Sequence, residues 1–187
     1  MAENKVRFGL KNVHYAIATV GSGGAITYGT PVAVPGAVNF DLSADGEENK
    51  FYADNTAYYV TYGNQGYSGS LEIARIPDAM LKDVWGYTEG TTSKVLTENT
   101  AAEAKMFALL FEISGDGDNE MYVFYNCTAS RPSVASATTD ENRTPVTQTV
   151  DISASPNAAG HAFARTTAST PTATKTGWYT SVFVEGT

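Results

Sequence analysis

The sequence has little with which to do chemistry. In 187 residues it holds one cysteine, Cys127, and two histidines, His14 and His161. A single cysteine excludes an intrachain disulfide and a cysteine-built zinc site. Each histidine stands in a strand-like context without a second ligand at metal spacing, so both read as surface or structural side chains rather than acid–base groups. Charge is scarce too: 17% of the chain, against roughly 25% in an ordinary globular domain. That argues against a charge-rich disordered or coiled-coil chain. Lys and Arg number 12 against 20 acids, a net charge of −8, and the bases are scattered from Lys5 to Lys175 without a run. A dedicated nucleic-acid binder needs clustered cations to neutralise phosphates, so that class is set aside. No apolar run approaches the ~18 residues of a membrane span, and no membrane insertion is expected. The start, MAENKVRFGL, has no continuous apolar stretch after its charges, so no secretory signal is expected there.

What is present is aromatic and alternating. Eleven Tyr, eight Phe and two Trp suit half-buried pleated surfaces. The length predicts one domain, with no repeat and no linker long enough to separate folding units. Residues 1–10 read as an extended N-terminal arm, since Val6, Phe8 and Leu10 alternate with no local partner. Period-two alternation predicts a strand over 12–20, a hairpin from 25–28 and 31–34, and a strand over 37–43. Residues 44–66 read as a long protruding hairpin with a turn at Ala53-Asp54-Asn55, followed by a strand over 67–75. Ile76, Met80, Leu81, Val84 and Trp85 form one amphipathic helical stripe, with Pro77 and Asp78 in the first turn and Gly86 as its stop. A short strand is expected within 91–96. Residues 105–113 are nearly continuously apolar, the mark of a strand buried on both faces. With 121–127 they make a hairpin across Gly115-Asp116-Gly117-Asp118-Asn119. Strands are also expected over 145–153, 161–167 and 178–184. The fold expected is mainly β, a sandwich or barrel-like body with one flanking helix, spanning 11–187.

No candidate composes an active site. Cys127 follows an apolar strand and reads as a small core residue, because no activating base can be placed beside it. Gly66-Tyr67-Ser68-Gly69 lacks the spacing and the strand–elbow–helix context of a hydrolase nucleophile. Gly115–Glu120 lacks the full ligand spacing of a calcium loop and reads as a polar turn. Asn126-Cys127-Thr128 and Asn142-Arg143-Thr144 match the glycosylation pattern by chance in a Ser/Thr-rich chain. No enzyme activity, cofactor or metal is expected.

Particular strings, in order from residue 11 to about 155, carry a resemblance. They include Lys11-Asn12-Val13-His14-Tyr15-Ala16, Pro35-Gly36-Ala37-Val38, Phe51-Tyr52-Ala53-Asp54-Asn55 after Glu47, and Gly66-Tyr67-Ser68-Gly69 with Leu71-Glu72. Ile76-Pro77, Phe107-Ala108-Leu109-Leu110-Phe111-Glu112, Tyr125-Asn126-Cys127 and Arg131-Pro132-Ser133 continue the series. The chain resembles the major tail proteins, or tail-tube proteins, of long flexible-tailed bacteriophages of Gram-positive bacteria. The match fades over 156–187, a variable C-terminal segment. The resemblance implies a virion protein assembled in the host cytoplasm. Six copies would form a ring, and rings would stack on a tape-measure protein into a tube for genome DNA. Tail terminator and distal tail proteins would be its other partners, and DNA would pass without specific binding.

Two sets of residues follow as candidates. Phe51, Tyr52, Tyr58, Tyr59 and Tyr62 lie in a segment too polar to be core and suit an inter-subunit contact. Stretches 41–48 and 112–120 contain acids and no base, so Asp45, Glu47, Glu48, Asp116, Asp118 and Glu120 are candidates for an acidic bore that repels the duplex. The alternative for these acids is an outward face that keeps a tube soluble. The alternative for the chain is a β-sandwich binding or adhesion module, with the aromatic hairpin as a glycan or protein platform.

Overall fold

A strand that is apolar at every position must be covered twice, and in the computed structural model the segment 107–111 is buried throughout. The structure describes residues 4–138 and 145–186; the second glycosylation-like string, at 142–144, lies outside them. In chain order the first elements are β1 (Arg7–Val20), β2 (Ile26–Tyr28), β3 (Val32–Ala33), β4 (Ala37–Asp45), β5 (Glu48–Ala53), β6 (Thr56–Tyr62), β7 (Gly66–Ile73) and α1 (Asp78–Trp85). Then follow β8 (Thr88–Glu89), β9 (Leu96–Thr97), β10 (Phe107–Gly115), β11 (Glu120–Ala129), β12 (Gln148–Ala154), β13 (Phe163–Arg165) and α2 (Thr172–Gly177). The fold is mainly β, as expected.

One antiparallel sheet dominates, ordered β2-β1-β10-β11-β12-β7-β4, with β3 added to β1 and β13 to β11. It curls on itself. Phe40, on the terminal strand β4, meets Phe111 of β10 at 4.4 Å between ring centroids, although three strands separate them along the sheet. The enclosed core is lined by Tyr15, Leu71, Ile73, Phe107, Leu109, Val150 and Ile152. Alternation sorts them: in β12, Val150, Ile152 and Ala154 are buried while Asp151 and Ser153 face solvent.

Helix α1 closes this core with Met80, Val84 and Trp85. Pro77 precedes it at φ −63°, where a missing N–H costs nothing, and Gly86 ends it in the left-handed conformation at φ 70°. The Trp85 indole donates to the Ser130 carbonyl at 2.9 Å, and Ile76 N–H donates to Gln148 Oε1 at 2.8 Å, so the helix is tied to the sheet at both ends.

The second cover is the C-terminal segment, which packs on the other face of β1, β10 and β11. There Trp178 joins Ala16, Ala108, Leu110, Val123 and Tyr125, with Phe183 and Val184 beside it. The Trp178 indole donates to the Tyr122 carbonyl at 3.3 Å, and Tyr125 Oη donates to the Phe183 carbonyl at 2.6 Å. Here the structure corrects two expectations. A second helix is present, and 178–184 is not a strand, because its aromatics anchor a chain crossing the sheet instead of pairing with it.

A bulge lets β11 serve both cores. From Phe107 to Leu109 β10 advances two residues while β11 goes from Cys127 to Phe124, three. Asn126 takes φ 45° there. Phe124 and Cys127 consequently face the same core although they are three positions apart, and Tyr125 faces the other. The Asn126 amide donates to the Pro156 carbonyl at 2.9 Å and its oxygen accepts from Tyr28 Oη at 3.0 Å. Asn126 is therefore a buried bulge residue.

Two further expectations shift. Of the residues read as an N-terminal arm, 7–10 belong to β1 and pair with 113–115, more than a hundred residues away. In place of one strand within 91–96, a two-residue pair, β8 and β9, flanks a turn.

Candidate functional site

Among the described residues no group of three His, Cys, Asp or Glu side chains comes together as a metal site, and no helix is long and apolar enough to cross a membrane. Cys127 is fully buried, and burial pushes its thiol up to about 12, far from the thiolate a nucleophile needs. His14 is held by its own neighbourhood: Nδ1 lies 2.8 Å from the Asn12 carbonyl, and its ring meets Tyr179 at 4.5 Å.

The feature that stands apart is the ribbon formed by β5 and β6, a two-stranded sheet of its own. Its two-residue turn, Asp54-Asn55, has positive φ at both positions (49° and 59°), the hairpin geometry whose twist matches that of the flanking strands. Register runs from Ala53 opposite Thr56 to Glu48 opposite Tyr62, with a bulge beside Tyr58. The neck is narrow. A Cβ on Gly46 would fall 1.9 Å from the Gly63 carbonyl oxygen, so only glycine lets the two strands leave the body this close together. Gln65 N–H donates to the Asp45 carbonyl at 2.8 Å just below.

All five aromatic candidates lie in this ribbon. Phe51, Tyr52, Tyr58, Tyr59 and Tyr62 are exposed by 62–75%, and Val60 is exposed with them. Phe51 and Tyr59 are cross-strand partners. By alternation Val60 and Tyr62 occupy the opposite face of β6, and Tyr58 is the extra residue of the bulge. Neither face is packed on the body. An isolated two-stranded hairpin is marginal in water, and a contiguous apolar surface of this kind is a mark of an interaction site.

The six acidic candidates divide into two places. Asp45, Glu47 and Glu48 sit at the ribbon neck. Asp45 accepts from Ser68 Oγ at 2.8 Å, Glu48 pairs with Lys50 at 2.9 Å, and Glu47 is in no ion pair among the described residues. Asp116, Asp118 and Glu120 sit at the β10–β11 turn, where the chain has largely compensated them. Asp116 accepts from Lys5 N–H at 2.8 Å, Asp118 pairs with Lys175, and Glu120 lies 3.1 Å from Arg7 and 3.2 Å from Arg165. Burial would raise the Glu120 carboxyl, but the Tyr122 hydroxyl at 2.8 Å, the two guanidiniums and Asn4 outweigh it and hold the group below its ordinary value.

The sequence reading missed two features. Glu112, on buried β10, is 4% exposed and is matched by Lys11 at 3.2 Å and the Asn12 amide at 2.7 Å. The second is a groove of about 400 Å³ between β1 and β4, with Phe8 and Val38 on its rim and Leu10 and Phe40 deeper. The alternation of Phe8 and Leu10 was visible in the sequence, but nothing local shows that this half of β1 lies beside Val38 and Phe40 of β4.

No known protein family matches the chain, and no curated protein does. Among solved structures it is similar to the cap that terminates the tube of the anti-feeding prophage, at 14% identity and TM-score 0.44, over 89% of this chain and 97% of that one. It is also similar to the sheath/tube terminator, in the extended state, of the extracellular contractile injection system PVC. There the identity is 9% and the TM-score 0.45, over 87% of this chain and 98% of that one. At these identities and TM-scores the likeness carries no argument about function.

Proposed function

We propose that this chain is a self-assembling structural subunit of a phage tail tube, closing into six-membered rings that stack into a conduit for DNA. The observation that carries the reading is the β5–β6 ribbon, aromatic on both faces and unsupported by its own body. A soluble monomer gains nothing from displaying such a surface and risks aggregation; a polymerising subunit buries it against a neighbour. The ordered strings from residue 11 to about 155 supply the ring count, the tape-measure protein in the lumen, and the tail terminator and distal tail proteins at the ends. The bore is assigned a net-negative lining, because a basic one would grip phosphates and release counterions. The reading is tested by electron microscopy of the concentrated full chain. Rings or tubes are the expected result. A persistent monomer that binds a glycan through the ribbon aromatics would replace this reading with that of an adhesion module.

A further inference from the structure

We propose that the groove between β1 and β4 is the acceptor for the β5–β6 ribbon of a second copy of this chain. The inference rests on the self-assembly reading and names the partner surface that reading leaves open. Three observations carry it.

The first is the groove's chemistry. Phe8 and Val38 stand 58% and 53% exposed on its rim, over the partly buried Leu10 and Phe40. Anchoring aromatics fill such pockets at the centre of interfaces. The groove is also bordered by two strand edges without strand partners among the described residues. In β1, residues 7–12 pair only with β10, and β4 pairs only with β7. Their free N–H and C=O groups are what an incoming ribbon can use.

The second is charge. Residues 4–40 contain Lys5, Arg7 and Lys11 and no acid. Residues 44–66 contain Asp45, Glu47, Glu48 and Asp54 against Lys50 alone. In a chain where acids outnumber bases, the groove takes Arg7 from an acid-free stretch, and a net-acidic segment forms the ribbon. Arg7 and Lys11 remain about half exposed even while paired to Glu120 and Glu112. Such complementarity fixes register and speeds encounter.

The third is placement. The groove is lined by the start of β4, at Val38 to Phe40, and the ribbon begins beyond its end, at Asp45. Five to seven residues of extended strand separate the two by roughly 16–23 Å. Donor and acceptor therefore sit at opposite ends of one strand. A contact that runs from the ribbon of one copy to the groove of the next is head-to-tail, and such contacts build rings or filaments.

The test uses the full chain carrying a benzophenone amino acid at Tyr62 in one preparation and at Tyr59 in another, so that both ribbon faces are sampled. Each is mixed with isotope-labelled wild-type chain, assembled, irradiated and digested. Cross-links to peptides containing residues 6–11 or 38–40 of the labelled copy are expected, at least tenfold above unassembled protein. Tubes whose cross-links fall elsewhere overturn the groove and leave self-assembly standing. Failure of wild-type chain to form rings or tubes at any concentration overturns both. As a second measurement, Phe8→Glu with Val38→Glu, at exposed positions, should raise the concentration needed for assembly at least tenfold with an unchanged circular dichroism spectrum. An unchanged assembly concentration counts against the groove.

Discussion

Arg7 and Glu120 lie 3.1 Å apart and join the first strand to the turn that begins β11. Arg165 reaches the same carboxylate oxygen from β13, so one acid holds three distant parts of the chain. Because the folded state keeps Glu120 below its ordinary value of 4.5, the unfolded chain binds its proton more readily. The stabilisation is present above that value and is lost as pH falls through the lower folded value. Thermal unfolding followed from pH 7 downward should show a falling Tm below about pH 4.5, and Glu120→Gln should flatten that limb. An acid limb identical in the variant would show that other carboxylates carry it.

The ribbon should be dispensable for folding. Its strands belong to no other sheet, and Gly46 and Gly63 already touch at the neck. Deleting residues 47–62 should leave the Tm within a few degrees of the full chain and abolish tubes under electron microscopy. Tubes formed by the deleted chain would remove the ribbon as the contact between copies.

Trp178 should matter more than its place in a weakly patterned segment suggests. It is 2% exposed and seals the outer face over Leu110 and Val123. Trp178→Ala should cost ~3–5 kcal/mol in denaturant unfolding, the range for emptying a large aromatic site. A loss below about 1 kcal/mol would mean that the segment does not stay docked in solution.

Asn126 separates conformational from hydrogen-bond effects. Asn126→Gly keeps the positive φ and loses the contacts to Pro156 and Tyr28; Asn126→Ala loses both contacts and meets the left-handed penalty. The alanine variant should be less stable than the glycine variant by about 1–2 kcal/mol. Equal stabilities would indicate that the bulge relaxes.

Charge reversal should distinguish the two acidic stretches. Lysine at positions 118 and 120 places new cations beside Lys175, Arg7 and Arg165 and should lower the Tm. Glu47→Lys with Glu48→Lys should leave the body folded, raise the concentration at which tubes form, because the ribbon loses its net acidity, and slow genome delivery by the particles that do form. Unchanged delivery with intact tubes would take these two residues out of the bore.

The sequence made the local elements legible and hid the long-range ones. Helix α1 was readable because its apolar stripe, Pro77 and Gly86 lie within eleven residues. The ribbon was readable from its turn and its aromatics, and the two-faced burial of β10 from an unbroken apolar run. The pairing of 7–10 with 113–115 has no local signature, because the alternation of Val6, Phe8 and Leu10 does not name a partner strand more than a hundred residues away. The covering role of 178–184 was missed because Trp178, Tyr179, Val182 and Phe183 also fit a strand pattern; only the presence of a bare sheet face decides between strand and cover. The acids at 118 and 120 could be seen as acids, but their cations arrive from residues 7, 165 and 175.

The two covers of β10 set the order in which the molecule can be finished. Its inner face is met by strands from both halves of the chain, and its outer face waits for the side chains of Trp178 and Phe183. During synthesis the ribbon emerges early, while Leu110 and Val123 stay bare until residues 178–184 leave the ribosome. The adhesive hairpin is thus made before the body that must carry it, and between the synthesis of β11 and that of Trp178 a nascent chain has one sticky surface on display and another uncovered. Completion of that seal marks the moment at which the ribbon and the groove are what the subunit has left to offer its neighbours.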